Sequence, residues 1–315
     1  MWPKTTVHKL IGYNTRVFVD RVVLMDVYLV DGTYELFRHY FALPSDTNSD
    51  GQEIAAVRGV VQSVLSMLER GVTHIGVATD HVIESFRNTL YPYYKTGEGI
   101  EPALYSQFPI LEDALEAMGV KVWRMVEFEA DDALAAAAAK CAKHDKVDQV
   151  FICTPDKDLS QCVVEKRVVQ LDRRQNIVRD EAGVIEKFGV GPASIPDYLA
   201  VVGDNADGFP GLAGWGAKAA ASVLGLYWHL ERIPKDSKQW DPSIRGAAKL
   251  SATLQNCWED ALLYRTLATL RLDVPVFDNL EELRWQGPTP AFDAIAPKIK
   301  ALGSVRKAEL SALNR

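Results

Sequence analysis

Three carboxylates fall within four positions at Glu129-Ala130-Asp131-Asp132, just before the alanine-rich run of residues 133–139. Such a run is a strong helix former, so these acids crowd the first turn of a helix. The helix dipole favours each of them by a few tenths to about 1 kcal/mol. That effect accounts for one or two acids, but not for isolated ones where strands should end: Asp31, Asp80, Asp156, Asp158, Asp204 and Asp207. Carboxylates converging on one pocket cannot all stay ionised unless cations lie among them. Oxygen-only donors suit Mg²⁺ or Mn²⁺, which keep several waters. Two such ions ~3.5–4 Å apart activate an attacking water and stabilise a leaving oxygen. The residue types therefore point to divalent-metal phosphate chemistry.

The elements that would position these acids alternate. Val27–Val30 is a short β-prone run ending at Asp31-Gly32-Thr33, and His74–Thr79 is a second strand ending at Asp80. Val120–Met125 leads into the acidic cluster, and Gln149–Cys153 ends at Thr154-Pro155-Asp156-Lys157-Asp158. Helical spacing marks Tyr34–Phe41, Glu53–Leu68, Glu84–Tyr91 and Leu104–Ala117. A hairpin is expected around Asp172–Gln175, then helices at Asp180–Phe188 and Ser194–Val202. Beyond them the chain reads as helical, with a polar linker at 234–243. Strand–helix alternation predicts an α/β fold with a mostly parallel central sheet and helices on both faces. Ligands of such sheets sit beyond the carboxyl ends of the strands, where Asp31, Asp80 and Asp156 fall.

Composition bounds the rest. The chain has 315 residues, 48% hydrophobic and 24% charged, the profile of a globular protein. No apolar run reaches the ~18 residues of a membrane span. Cys141, Cys153, Cys162 and Cys257 lack metal or disulfide spacing and read as reduced thiols of a cytoplasmic protein. The net charge of −7 argues against a strongly basic protein. Setting aside the nine acids above leaves 42 − 9 = 33 acids against 35 Lys+Arg, about +2, so nucleic-acid binding is not excluded. Residues 1–25 are basic (Lys4, Lys9, Arg16 and Arg21 against Asp20) and read as an extension of uncertain origin. Residues 26–190 are expected to form the α/β domain, and 191–315 a helical region.

Asp31-Gly32-Thr33 invites comparison with haloacid-dehalogenase-like phosphatases, but Leu29 stands where their nucleophilic Asp would be. The ordered set of motifs from about Val27 to about Leu283 instead resembles the 5′-nuclease (flap endonuclease) family, including the 5′→3′ exonuclease domain of bacterial DNA polymerase I. The motifs are Val30-Asp31-Gly32 through Phe37-Arg38; Asp80 with Ser85-Phe86-Arg87 and Tyr94-Lys95; Glu129-Ala130-Asp131-Asp132; Thr154–Asp158; Gly203-Asp204 with Asp207; and the glycine-rich 211–218.

The resemblance implies a PIN-like 5′-nuclease fold with a helical arch at about 92–105 and a helix–three-turn–helix. It implies a stand-alone, monomeric phosphodiester hydrolase acting on DNA at 5′ flaps, nicks and duplex junctions, with RNA–DNA hybrids a further substrate and no membrane partner. It assigns Asp31, Asp80, Glu129 and Asp131 to one metal and Asp131, Asp156, Asp158 and Asp204 to a second. Asp132 and Asp207 stand nearby. Lys95 and Arg87 would steady the scissile phosphate. Gly211, Gly214, Gly216 and Lys218, with Arg38 and Tyr94, would contact DNA, and K⁺ is a candidate at the glycine turn. Trp215 is expected to pack inside that motif.

One departure stands out. Glu98 occupies the position where the family usually carries an Arg, and no Lys or Arg occurs from Thr96 to Val120. A phosphate backbone threaded through such an arch would be poorly neutralised. The rival readings are a non-catalytic DNA-binding scaffold of the same fold and a PIN-type RNA nuclease.

Overall fold

A computed structural model describes residues 24–301. The six strands are β1 (Met25–Asp31), β2 (His74–Asp80), β3 (Lys121–Met125), β4 (Val147–Cys153), β5 (Val168–Asp172) and β6 (Ile177–Arg179). They form one sheet in the order β3-β2-β1-β4-β5-β6, parallel except for the antiparallel β5–β6 hairpin. Every residue of β2 is buried, as expected of a parallel strand covered on both faces. The expected strands and hairpin are all present.

Side-chain alternation then decides which way the acids point. On β1, Val30 joins the core beneath α2 (Ala55–Glu69), while Val27 and Leu29 join the core on the opposite face. Asp31 shares the parity of Val27 and Leu29. On β2, Ala78 faces that same side, and so by parity does Asp80. The helices in chain order are α1 (Gly32–Ala42), α2, α3 (Phe86–Leu90), α4 (Pro102–Tyr105), α5 (Gln107–Ala117) and α6 (Ala130–Ala142). Ala133 and Ala135–Ala138 of α6 are buried against β1 and β4. Their small side chains let α6 lie close to the sheet, so its first turn opens beside Asp31 and Asp80.

The chain continues through α7 (Glu181–Phe188), α8 (Ile195–Val202), α9 (Ala217–Tyr227), α10 (Ala247–Asn256), α11 (Trp258–Ala268) and α12 (Phe292–Ile295). Helices α7 to α11 share a core that includes Phe209, Trp215, Leu224 and Trp240. Three expectations are corrected here. The stretch 234–243 is not a free linker: Trp240 is buried, meets Trp215 edge-on at 6.4 Å, and donates through Nε1 to the Pro234 carbonyl at 2.6 Å. The helical region also does not run to the end of the described chain. Leu270, Val274, Val276 and Phe277 return to cover α6, and Phe292 and Ile299 enter the α2–α5 core. Trp123 Nε1 ties β3 to the Val276 carbonyl at 2.5 Å, and Trp285 N donates to Thr73 O at 2.8 Å.

The third correction concerns the arch. Residues 92–101 form turns, and only the single turn of α4 is helical before α5 joins the core. Pro92, Gly97, Gly99 (φ +85°) and Pro102 interrupt any longer helix. The segment is a short strap. Its Lys95 N–H donates to the Asp207 carbonyl at 3.1 Å, and Asn88 Nδ2 donates to the carbonyls of Tyr94 and Lys95 at 3.3 and 3.0 Å. The putting-together of β1 also absorbs Met25 of the expected extension; residues 1–23 lie outside the described residues.

Gly76 measures how tightly β2 and β3 pack, because a Cβ there would sit 2.4 Å from the Trp123 ring. Gly76→Ala is expected to lower stability by about 1–3 kcal/mol through overpacking. Urea denaturation should give a lower midpoint at an unchanged slope.

Candidate metal centre and nucleic-acid interface

The acids are held by the elements that carry them. Asp31 caps α1, accepting from Tyr34 N at 2.8 Å and Thr154 Oγ1 at 2.9 Å. Asp80 accepts from Ala130 N at 2.7 Å, which pins β2 to the start of α6 and so to Asp131. Asp158 opens the 3₁₀ turn Asp158–Cys162, its N–H on Asp156 Oδ1 at 3.3 Å. Asp204 and Asp207 lie on a tight turn closed by paired hydrogen bonds between Asp204 and Phe209 at 2.8 and 3.0 Å. At that turn Gly208 (φ +84°) lets the Tyr93 carbonyl approach to where a Cβ would stand at 2.3 Å.

Carboxylate oxygens of Asp158, Asp204 and Asp207 lie within 4.8 Å of one another, and all three residues are buried. Asp158 Oδ1 is buried with no hydrogen-bond partner. A carboxylate oxygen buried without a partner among like charges is a suitable ligand atom for a cation.

Electrostatics joins this triad to the acids of β1, β2 and α6. Burial pushes the Asp31 carboxyl up to about 7, with Asp156 and Asp80 adding repulsion against its Tyr34 hydrogen bond. Asp131 is raised well above the ordinary range by burial, then by Asp156 and Asp31. Asp158 is raised likewise by burial, then by Asp156, Asp207 and Asp204. Burial and Asp204 push Asp207 up to about 6 despite Lys95. Asp156 repels acids of both groups, so it stands between two lobes: Asp31, Asp80 and Asp131 on one side, Asp158, Asp204 and Asp207 on the other. The fit to hard divalent cations is good, because every donor is a carboxylate oxygen and one is orphaned.

Two ammonium groups sit at the edge of this basin. Lys95 Nζ is 2.6 Å from Glu129 Oε2 and 3.7 Å from Asp207 Oδ1. Burial opposes its charge, but Glu129, Asp80 and Asp207 hold its pKa well above the usual value. Lys157 Nζ is 2.6 Å from Asp204 Oδ2. Sequence reasoning gave Lys157 no role, although its place between Asp156 and Asp158 was the available signal.

Four assignments change. Arg87 is 1% exposed and cannot meet a phosphate. It grips both oxygens of Asp132 at 2.7 Å, reaches Glu129 at 3.0 Å, and donates to the carbonyls of Leu267 (2.8 Å) and Thr269 (3.1 Å). Asp132 is correspondingly spent: besides Arg87 it accepts from Glu129 N at 3.0 Å and Arg271 N at 2.9 Å, so it is no metal neighbour but the tie between α6 and the end of α11. Tyr94 is buried, with its hydroxyl 3.3 Å from Glu129, and offers DNA no surface. Glu129 has both oxygens engaged, Oε1 by Ser85 (2.7 Å) and Arg87, Oε2 by Lys95 and Tyr94. Burial raises its pKa, but Lys95 and Arg87 overcome this and hold it below the ordinary value. Glu129 thus anchors Lys95 rather than offering a free oxygen. Arg38 is held by Glu35 at 2.5 Å within α1.

The glycine turn lies ahead of α9. Gly211 and Gly214 adopt φ +69° and +86°, and Gly216 precedes α9 without a side-chain cap. The first-turn N–H groups are therefore available, with Lys218 exposed on them and Lys249 alongside Gly214. Trp215 packs inward, its Nε1 on the Leu250 carbonyl at 3.2 Å.

A carboxylate basin at the carboxyl ends of a parallel sheet, followed by a helical domain with an open glycine turn, defines a metal-dependent phosphodiester hydrolase. The chain belongs to the 5′-3′ exonuclease family. Residues 26–189 match its N-terminal resolvase-like domain and residues 190–291 its C-terminal SAM fold. It is 32% identical over 264 residues to a 5′-3′ exonuclease of Aquifex aeolicus, covering 83% of this chain and 87% of that protein. It is 34% identical over 265 residues to DNA polymerase I of Pseudomonas aeruginosa, covering 81% of this chain but 28% of that enzyme.

Among solved structures, T5 5′-exonuclease with divalent metal ions (zinc) bound shares the fold (TM-score 0.62, 17% identity, 92% of this chain and 98% of that one). So does the catalytic core of Rad2 in complex with DNA substrate (TM-score 0.60, 13% identity, 92% of each chain). The protein is a nuclease of the 5′-3′ exonuclease family.

Two outcomes follow. Asp31 and Asp207 hold protons in the folded state up to about pH 7 and 6, whereas at the ordinary value of 3.8 the unfolded chain has released them. Between those limits the folded state binds more protons, so metal-free stability falls as pH rises. The melting temperature in chelator should drop between about pH 5 and 7.5, and Mg²⁺ should raise it more at the higher pH. Separately, Arg87→Ala leaves Asp132 buried and unpaired, and denaturant unfolding should register a loss of about 3–5 kcal/mol.

Proposed function

We propose that this nuclease uses Mg²⁺ or Mn²⁺ held in the two-lobed basin to hydrolyse DNA phosphodiesters near 5′ ends and duplex junctions. The observation that carries this reading is the convergence of Asp158, Asp204 and Asp207 around the orphaned Asp158 Oδ1. Asp158, Asp204 and Asp207 would hold one ion, Asp31, Asp80 and Asp131 the other, with Asp156 facing both. Bound there, the ions would supply an activated water and positive charge for the leaving oxygen.

The rest is done by this chain's own residues. Glu129 and Asp207 hold Lys95 at the basin's edge, where its ammonium meets the negative charge of the scissile phosphate. Asp80 fixes the start of α6 so that Asp131 does not drift. The open N–H groups after Gly216, with Lys218 and Lys249, suit the phosphates of one duplex strand, and the carbonyls of that turn are a candidate K⁺ seat. The strap carries Glu98 and Glu101 and no long helix. Its charge and length favour ends, gaps and nicks over threading a long flap. RNA–DNA hybrids are a further substrate class, the cytoplasm is the compartment of action, and the free cysteines accord with it.

Cleavage of a 5′-labelled nicked or flapped duplex in Mg²⁺, Mn²⁺ and chelator tests the reading. Asp158→Asn and Asp131→Ala are each expected to abolish cutting while duplex binding persists. Retained cutting by either variant would sink the metal assignment, and binding without cutting by the wild type would favour the scaffold reading.

A further inference from the structure

A cavity of about 1110 Å³ wraps the amino ends of β1 and β2, remote from the carboxylate basin at the opposite ends of those strands. It runs over the sheet face past Tyr28 to Leu171 and Arg173. Its charge is the reverse of the basin's. Arg70, Lys146, Arg173 and Arg284 line it against two acids, Asp26 and Glu281. Arg70 and Lys146 form no ion pair among the described residues, and Arg284 meets only Glu281, at 3.5 Å.

Two buried polar atoms in its lining lack hydrogen-bond partners: His74 Nε2 and Arg173 Nη1. His74 is 4% exposed. Burial holds its pKa down, and Arg284 adds to this against Glu281, so the ring is neutral near pH 7. Its Nδ1 lies 2.9 Å from Thr73 Oγ1. With that hydroxyl donating to Nδ1, the proton resides on Nε2, a donor enclosed in the cavity wall without an acceptor. Arg173 is anchored through Nη2 on Ser63 Oγ at 2.8 Å, while its Nη1 has only a 3.5 Å approach to Glu35. Buried donors of this kind are normally satisfied.

We propose that this cavity is a second ligand site, for a nucleoside phosphate. Arg70 and Lys146, which carry no ion pair among the described residues, and the exposed Arg284 fit a phosphate group. Tyr28, Met67 and Leu171 offer the apolar wall that a base requires, and the volume is that of an ordinary small-molecule site. Asp26 and Glu281 would suit the sugar hydroxyls or a base amine. The basic residues 1–23, which precede Leu24 at its rim, are a poor electrostatic match for the same lining.

Calorimetric titration of the full chain with dAMP, deoxyadenosine and inorganic phosphate, all in chelator so that the metal basin does not contribute, tests this. Saturable dAMP binding is expected, with deoxyadenosine and phosphate each at least about tenfold weaker. The double variant R70E/R284E, altered only at exposed positions, should lose at least about tenfold in dAMP affinity while cleaving DNA at the wild-type rate. Asp158→Asn should leave the dAMP affinity unchanged. Absence of saturable heat below about 1 mM dAMP overturns the proposal. So does binding that survives R70E/R284E or disappears in Asp158→Asn, since either result puts the nucleotide elsewhere.

Discussion

Mutual repulsion among buried carboxylates is the constraint on which the rest of this molecule depends. Seven Asp residues from five separate segments face one basin, where burial and mutual repulsion push up the carboxyls of Asp31, Asp80, Asp131, Asp158 and Asp207. Left to itself such a cluster would spread or take up protons. The fold resists by giving the acids rigid anchors: Asp31 and Asp80 on fully paired parallel strands, Asp131 on a helix start fixed to Asp80, Asp204 and Asp207 on a turn closed by two backbone hydrogen bonds. A divalent cation among the acids would relieve that repulsion.

Around this centre the cations are sorted by reach. Arg87, though it lies in a motif with Ser85 and Phe86, is drawn entirely into the protein. A guanidinium can satisfy two carboxylates and two carbonyls at once in its fixed fork. Lys95 and Lys157, with single mobile ammoniums, stay at the rim beside Asp207 and Asp204. The geometry thus divides labour between an arginine that holds α6 to α11 and lysines that remain able to meet an incoming phosphate.

The return of residues 270–301 to the α/β core couples the two halves. Asp132, through Arg87 and the Arg271 amide, is joined to the end of α11, and Trp123 is joined to Val276. The glycine turn is therefore carried on helices whose far end is bolted to the helix that bears Asp131. The distance between the glycine turn and the carboxylate basin is set by covalent and hydrogen-bonded connections rather than by a loose linker.

What the sequence determined was local in origin. The strands, the alanine-rich α6, the acids at strand ends and the glycine turn were all legible, because period-two apolar runs, helix propensity and turn chemistry act over a few residues. That Asp31, Asp80, Asp131, Asp156, Asp158 and Asp204 are acids placed at strand ends and a helix start was legible from residue type and position. Tertiary structure alone decided the rest. Whether Arg87 faced solvent or Asp132, whether Asp207 stood aside or completed the triad with Asp158 and Asp204, whether Tyr94 lay on the surface, and whether residues 92–105 rose into an arch or lay down as a strap all depend on partners far away in sequence. A charged side chain reports only that it needs a partner; burial and the distances between segments choose which one.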